Sequence, residues 1–313
     1  MNISSIGTKK SQPQPRRINK FEERAAYLFL LPWLIGLVVF ILGPALATGA
    51  ISLTNWNMIT QPAWVGLANY SKMLGDANFW QSIRVTLYYL VLSVPALSIG
   101  GLLVSLLLNQ RLPGMNFIRT VLYLPAVLSG VAVAVLWLSL LNPDAGVINS
   151  ALRALGIANP PNWLNDSQWA VPAVVMISLW GVGGNAIIYL AGLQNIPPEL
   201  YDAASIDGAN DINKFFALTL PLLSPTMFFV LITNLVGAFQ VFDIAFILGG
   251  SRGGRGGNLL FYLLYIWNEG FRSGRMGYAS ALSLVLIVFS AIVIIVVVNT
   301  SDRWVYYEIE DKK

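Results

Sequence analysis

The 313-residue chain contains no cysteine and no histidine. Without cysteine it has no disulfide framework, no thiol chemistry and no iron–sulfur cluster. Without histidine the commonest general base and metal ligand is missing, which removes a zinc site, a Ser-His-Asp triad and a haem. Charge is scarce as well: Asp, Glu, Lys and Arg make up 11% of the residues, against about a quarter in a soluble domain. No Gly-x4-Gly-Lys-Ser/Thr phosphate loop occurs, since the glycine-rich run 249–257 lacks the Lys-Ser/Thr pair. The chain therefore offers no ATP-binding motif and no cysteine or histidine to ligate a metal. The net charge of +4 points to no nucleic-acid partner, because basic residues on such a chain mostly set topology.

What is abundant is apolar sequence: 56% hydrophobic residues and a mean hydropathy of +0.65. The reading is an all-α polytopic membrane protein embedded in a lipid bilayer. A helix needs about 20 apolar residues to cross the hydrocarbon core. Six stretches qualify: 27–53, 83–108, 117–141, 170–193, 222–248 and 278–299. They form one six-span domain, 25–305, between a polar, disordered N-terminal tail, 1–24, and a short C-terminal tail, 306–313. A seventh run, 259–267 ("LLFYLLYIW"), is too short to span and reads as interfacial or re-entrant. Twelve of the 19 basic residues fall on the side that holds both termini, which favours a cytoplasmic placement for that side. Asn149 is then outside and Gly208 inside. The sequence Ala45-Leu46-Ala47 allows a second reading, signal-peptidase cleavage, but the apolar run before it is longer than a signal peptide uses.

Spans four and five are joined by a longer inner stretch, 194–221, that contains "NIPPELYDAASIDGANDINKFFALTLP". Pro197 and Pro198 suit a helix start, Glu199 and Asp202 suit its first turns, and Gly208 suits its end. Ala203 and Ala204 favour helix and leave room for another surface to approach. A solvated loop and a docking helix both satisfy these residues.

The spacing Asp202-Ala203-Ala204, three residues, Gly208, nine residues, then Leu218, Leu220 and Pro221 resembles the EAA loop of ABC importer permeases. Aspartate replaces glutamate at 202 and leucine replaces isoleucine at 218. The outer segments 64–80 and 142–156, with 237–250 and 277–289, are similar to the sugar-uptake branch of that family. Val85, where the family often has asparagine, and "SRGGRGG" (251–257) depart from it. The resemblance implies that 194–221 is the coupling loop, received by a separate ATPase subunit that is present in two copies and uses ATP and Mg. This chain itself would bind no cofactor. Further implied partners are a second permease, the product of a different gene, and an extracytoplasmic solute-binding protein, in a bacterial or archaeal cytoplasmic membrane.

Ionisable and polar residues inside spans are costly and point to function. Phe239, Gln240 and Asp243 share one face of a continuous fifth span, with Asn234 deeper. An aromatic ring, an amide and a carboxylate are the means of holding a sugar, and a structural contact between helices is the alternative. Trp180, Asn185 and Tyr189 in span four are further pathway candidates, while Gly181, Gly183 and Gly184 suit close packing or a kink. The function expected is half of the pathway of an ATP-driven importer for a carbohydrate or polyol derivative. The competing reading is a secondary transporter or channel subunit that works without ATP.

Overall fold

The computed structural model describes residues 20–110 and 112–306. The expected tails therefore fall largely outside it, as does Arg111. Residues 20–24, expected to be without structure, already belong to a helix, Lys20–Gly36. Among the described residues the fold is helical, with one isolated bridge between Thr54 and Trp64 in place of a sheet.

The described residues divide into two compact units, one up to Thr48 and one from Gly49 onward. In the first, the helix passes through a π-helical turn, Leu37–Leu42, and resumes at Gly43. Pro44 explains the turn: it has no amide to donate, and its ring crowds the carbonyl four residues earlier, so the helix widens just before it. The apolar run here, Tyr27–Ser52 (α1), is long enough to cross a membrane.

The second unit begins with a short helix, Ala68–Leu74 (α2), and a long one, Ala77–Leu108 (α3). Next come Met115–Val127 (α4), Gly130–Leu140 (α5), Val147–Ala154 (α6), Ala170–Trp180 (α7) and Gly183–Gln194 (α8). Pro198–Ile206 (α9) leads to the 29-residue helix Asp211–Phe239 (α10). Asp243–Gly249 (α11), Tyr262–Trp267 (α12) and Met276–Ser301 (α13) complete it. Helix α3 is central, packing along α7, α8, α10 and α12.

Among the described residues four helices are long and apolar enough to span a membrane, and six spans are reached if each of two bent pairs counts as one. The expected third span, 117–141, is not continuous: α4 and α5 meet at 96°. Pro125 removes a helical donor and Leu128 turns extended, at ψ 145°, so the backbone breaks at 128–130. The fourth breaks more gently, by 48°, at Gly181 and Val182. The fifth starts eleven residues before the expected 222 and stops at Phe239, short of 248. At 1.5 Å per residue α10 runs about 43 Å, more than the ~30 Å hydrocarbon core, so one end projects from it. The run 259–267 lies in the core, with Tyr262, Leu264 and Tyr265 buried.

Glycine sets the closest approaches. A Cβ on Gly183 would fall on the Leu122 carbonyl of α4, and one on Gly101 would lie 2.7 Å from the Cβ of Asn185. The closeness anticipated for the span-four glycines is thus real at Gly183. The segment after α13 returns to the root of α10, where the Tyr306 amide donates to Ser224 Oγ at 2.7 Å.

Candidate functional site

Local chemistry sets both ends of α9. Pro198 occupies its first position and Glu199 its first turn. Gly208 follows the C-cap Asp207 with φ +80°. The Ala209 amide donates to the Ala204 carbonyl at 2.9 Å, and the Gly208 amide to Ser205 at 3.1 Å. This crossed pair is the Schellman closure, which needs a left-handed residue and so favours glycine. Asn210 then caps the next helix, its Oδ1 accepting from the Asn213 amide at 2.8 Å.

One side of α9 is unpartnered. Asp202 and Ala203 are exposed and Ala204 is half-buried. Further along the same stretch Ile206, Ile212 and Phe216 expose 87%, 68% and 64% of their surface. Large apolar side chains grouped on a surface mark a contact with another body. The opposite side is tied down: Tyr201 Oη lies 3.0 Å from Thr219 Oγ1, and the ring packs near Tyr189, Leu193 and Leu223. Thr219 is buried in the π-helical turn Phe215–Thr219 that precedes Pro221. Leu218, Leu220 and Pro221 are half-buried within α10 and stand apart from the exposed face of α9.

The polar residues of the spans separate into two groups. Asn185 and Asn234 hold helices together: Asn185 Nδ2 donates to Asn234 Oδ1 at 3.0 Å and to the Leu97 carbonyl at 3.3 Å. Asn234 Nδ2 donates to Ser98 Oγ at 3.0 Å, so α3, α8 and α10 share one knot. Tyr189 is 1% exposed and packs on Gly101. Trp180 meets Trp137 edge to face at 6.0 Å.

The second group corrects an expectation. Phe239, Gln240 and Asp243 do not share a helical face, because α10 ends at Phe239 and α11 begins at Asp243. Phe239 is buried against Phe289 at 5.8 Å, while Gln240 and Asp243 are exposed. Asp243 instead faces the break in the third span. A Cβ on Gly130, the first residue of α5, would lie 3.8 Å from Asp243 Oδ2. A carboxylate there complements the amides at the start of α5. Residues 128–130 are exposed on this chain. Broken backbone at membrane depth is tolerated against protein or water, and not against lipid.

Sequence reading missed the polar junction at the other end of α3. Asp76 caps α3, accepting from the Asn78 amide at 2.9 Å. Its Oδ2 also accepts from the hydroxyls of Tyr265 and Tyr278, the latter at 2.8 Å. Burial pushes the Asp76 carboxyl up, and the hydrogen bonds from Tyr265, Tyr278 and the two amides outweigh this and hold it below its ordinary value. The helix-start signal, an aspartate before an apolar run, was present in the sequence; its two tyrosine partners were not legible there. Asn149 is likewise a structural hub at 1% exposure, accepting from Trp163 Nε1 at 2.7 Å.

Residues 75–306 match the family model described as "Binding-protein-dependent transport system inner membrane component". The chain is 37% identical over 299 residues to the probable ABC transporter permease protein YesP of Bacillus subtilis, covering 95% of this chain and 96% of that one. It is 36% identical to the trehalose/maltose transport system permease protein MalF of Thermococcus litoralis, with 85% and 90% covered. Among solved structures, a bacterial ABC transporter involved in import of the acidic polysaccharide alginate superposes with a TM-score of 0.78 at 25% identity, covering 91% of this chain and 98% of that one. The long unbroken match, together with the helical fold and the exposed α9, makes the chain a member of the family of inner-membrane permease components of binding-protein-dependent ABC transporters.

Proposed function

We propose that the chain is the permease subunit of an ATP-driven importer for a carbohydrate or a related polyol derivative. It supplies half of the pathway, and a second permease, the product of a different gene, supplies the rest. Two ATPase subunits use ATP and Mg, a solute-binding protein delivers the cargo, and both termini are cytoplasmic. The observation that carries this reading is the exposed stretch from α9 into the start of α10, small at Ala203 and with Ile206, Ile212 and Phe216 open to solvent. The sugar class rests on relatives whose names carry trehalose/maltose and alginate.

The geometry supports a mechanical route. A push on α9 reaches α10 through the Tyr201–Thr219 contact and the clustered apolar side chains beside it. Helix α10 runs on from that contact and carries Asn234 and Phe239 toward its far end. ATP-driven closure of the ATPase pair then favours one state of the permease by differential contact with α9. At the far end, Asp243 and the start of α5 present a carboxylate and helix-N-terminal amides, groups suited to sugar hydroxyls.

Asp243→Asn keeps the shape and removes the charge. Uptake is expected to fall about tenfold, the size of one charge-assisted hydrogen bond worth ~1.5 kcal/mol, while ATPase association persists. Uptake at the wild-type rate would reduce Asp243 to a residue at the helix break.

Orientation is tested by cysteine labelling in this cysteine-free chain. Asn149 is too buried to report, so the outer site is Leu155, which is 81% exposed, and the inner site is Asp207. Leu155→Cys should react with an impermeant maleimide in intact cells, and Asp207→Cys should react after lysis. The opposite pattern would place α9 outside and remove the coupling assignment.

A further inference from the structure

The glycine-rich turn 251–257 borders an open cavity of ≈ 600 Å³, within the size range of small-ligand sites. The first turn of α3 forms one wall through Asn78 and Gln81. The opposite wall comes from the segment after α12, with Asn268, Glu269, Arg272 and Arg275, and Arg252 closes the rim. The glycines are required by the packing. A Cβ on Gly253, at φ +70°, would lie 2.5 Å from the Leu260 backbone, so a larger residue would force the turn and its arginine outward.

The charge in this cavity is unbalanced. Three guanidinium groups face one carboxylate, Glu269. Glu269 is 5% exposed and is engaged by Arg275 at 2.5 Å. Arg272 donates to Ser251 Oγ at 3.0 Å, and among the described residues neither it nor Arg252 has a carboxylate partner. Asn268 Oδ1 is buried with no hydrogen-bond partner, an acceptor in need of a donor. Beside Arg272, Phe271 leaves 65% of its surface open. Guanidinium groups only donate, and their fork matches a carboxylate in two parallel bonds. Hydroxyls, in contrast, both donate and accept, so a neutral sugar would leave two such forks without an anion.

We propose that this cavity receives the carboxylate of an acidic sugar, so that the cargo of this importer carries uronate groups. Arg252 and Arg272 hold the carboxylate, and Glu269 keeps Arg275 in place. The inference rests on the carbohydrate reading and narrows it.

The test uses the full chain in lipid nanodiscs and two probes: a trisaccharide of uronic acid residues, and the same trisaccharide with every carboxylate reduced to an alcohol. The uronate should bind at least tenfold more tightly, with the advantage shrinking at high salt. The double variant Arg252→Gln, Arg272→Gln should reduce it to the affinity of the neutral probe, and Arg252→Lys, Arg272→Lys should restore part of it. Equal affinity for both probes, or an advantage that survives the glutamine substitutions, overturns the proposal. Uptake by cells carrying the whole transporter separates the two readings. Uptake of the neutral probe alone defeats this inference and leaves carbohydrate import standing. Uptake of neither probe defeats this inference, and refusal of a panel of neutral mono- and disaccharides as well defeats both. A loss of neutral-sugar uptake in the glutamine variant equal to the loss for the uronate would assign the arginines to docking of the binding protein and overturn the proposal.

Discussion

Gly183→Ala is expected to abolish accumulation of the folded chain, while Gly184→Ala leaves it nearly unchanged. The two positions are adjacent in one helix and the substitution is the same, so helix propensity favours alanine at both. Their surroundings differ. At Gly183 the added methyl falls on the Leu122 carbonyl and crowds Tyr123 Cα, which are backbone atoms that cannot rotate away. Helices α4 and α8 would have to separate along their contact, at a cost of about 3 kcal/mol or more. At Gly184 the nearest atom is the Ala126 methyl at 3.4 Å, an ordinary contact. The yield of folded chain and the size-exclusion profiles of detergent extracts of the two variants decide the matter. Equal stability of both would show that the close approach of α8 to Leu122 is not required.

Gly208→Val is expected to leave the chain folded in the membrane and to reduce its association with the ATPase by at least tenfold. A Cβ at Gly208 meets nothing within 4 Å, so packing offers no objection to valine. The objection is conformational: φ +80° costs a β-branched residue about 1–2 kcal/mol. Helix α9 has nine residues and little independent stability, so that cost unwinds its last turn and moves Ile206. Ala203→Asp should weaken the same association without strain, by setting a charge in the contact. Co-purification of the ATPase and transport-coupled hydrolysis are the two readouts. Normal values for both variants would make α9 an ordinary surface loop.

The sequence by itself determined the class of protein and the outline of α9. Long apolar runs admit only a helical membrane fold, because each segment must satisfy its own backbone once it leaves water. The ends of α9 were equally legible, since Pro198 and Gly208 act through their own φ angles and need no distant partner. Tertiary structure decided what those rules cannot reach. A hydropathy window sees 117–141 and 222–248 as unbroken, yet the backbone breaks at 128–130 and 240–242, where other parts of the protein can stand in for lost helical bonds. The same holds for side chains. Asn185 could have faced a pathway, but it bonds Asn234, 49 residues away. Asp76 gains its hydroxyl donors from tyrosines 189 and 202 positions later. Arg252 and Arg272 share one cavity only because Gly253 lets the turn lie against Leu260. Which polar groups become neighbours depends on how the helices pack and where they bend, and no local propensity encodes that.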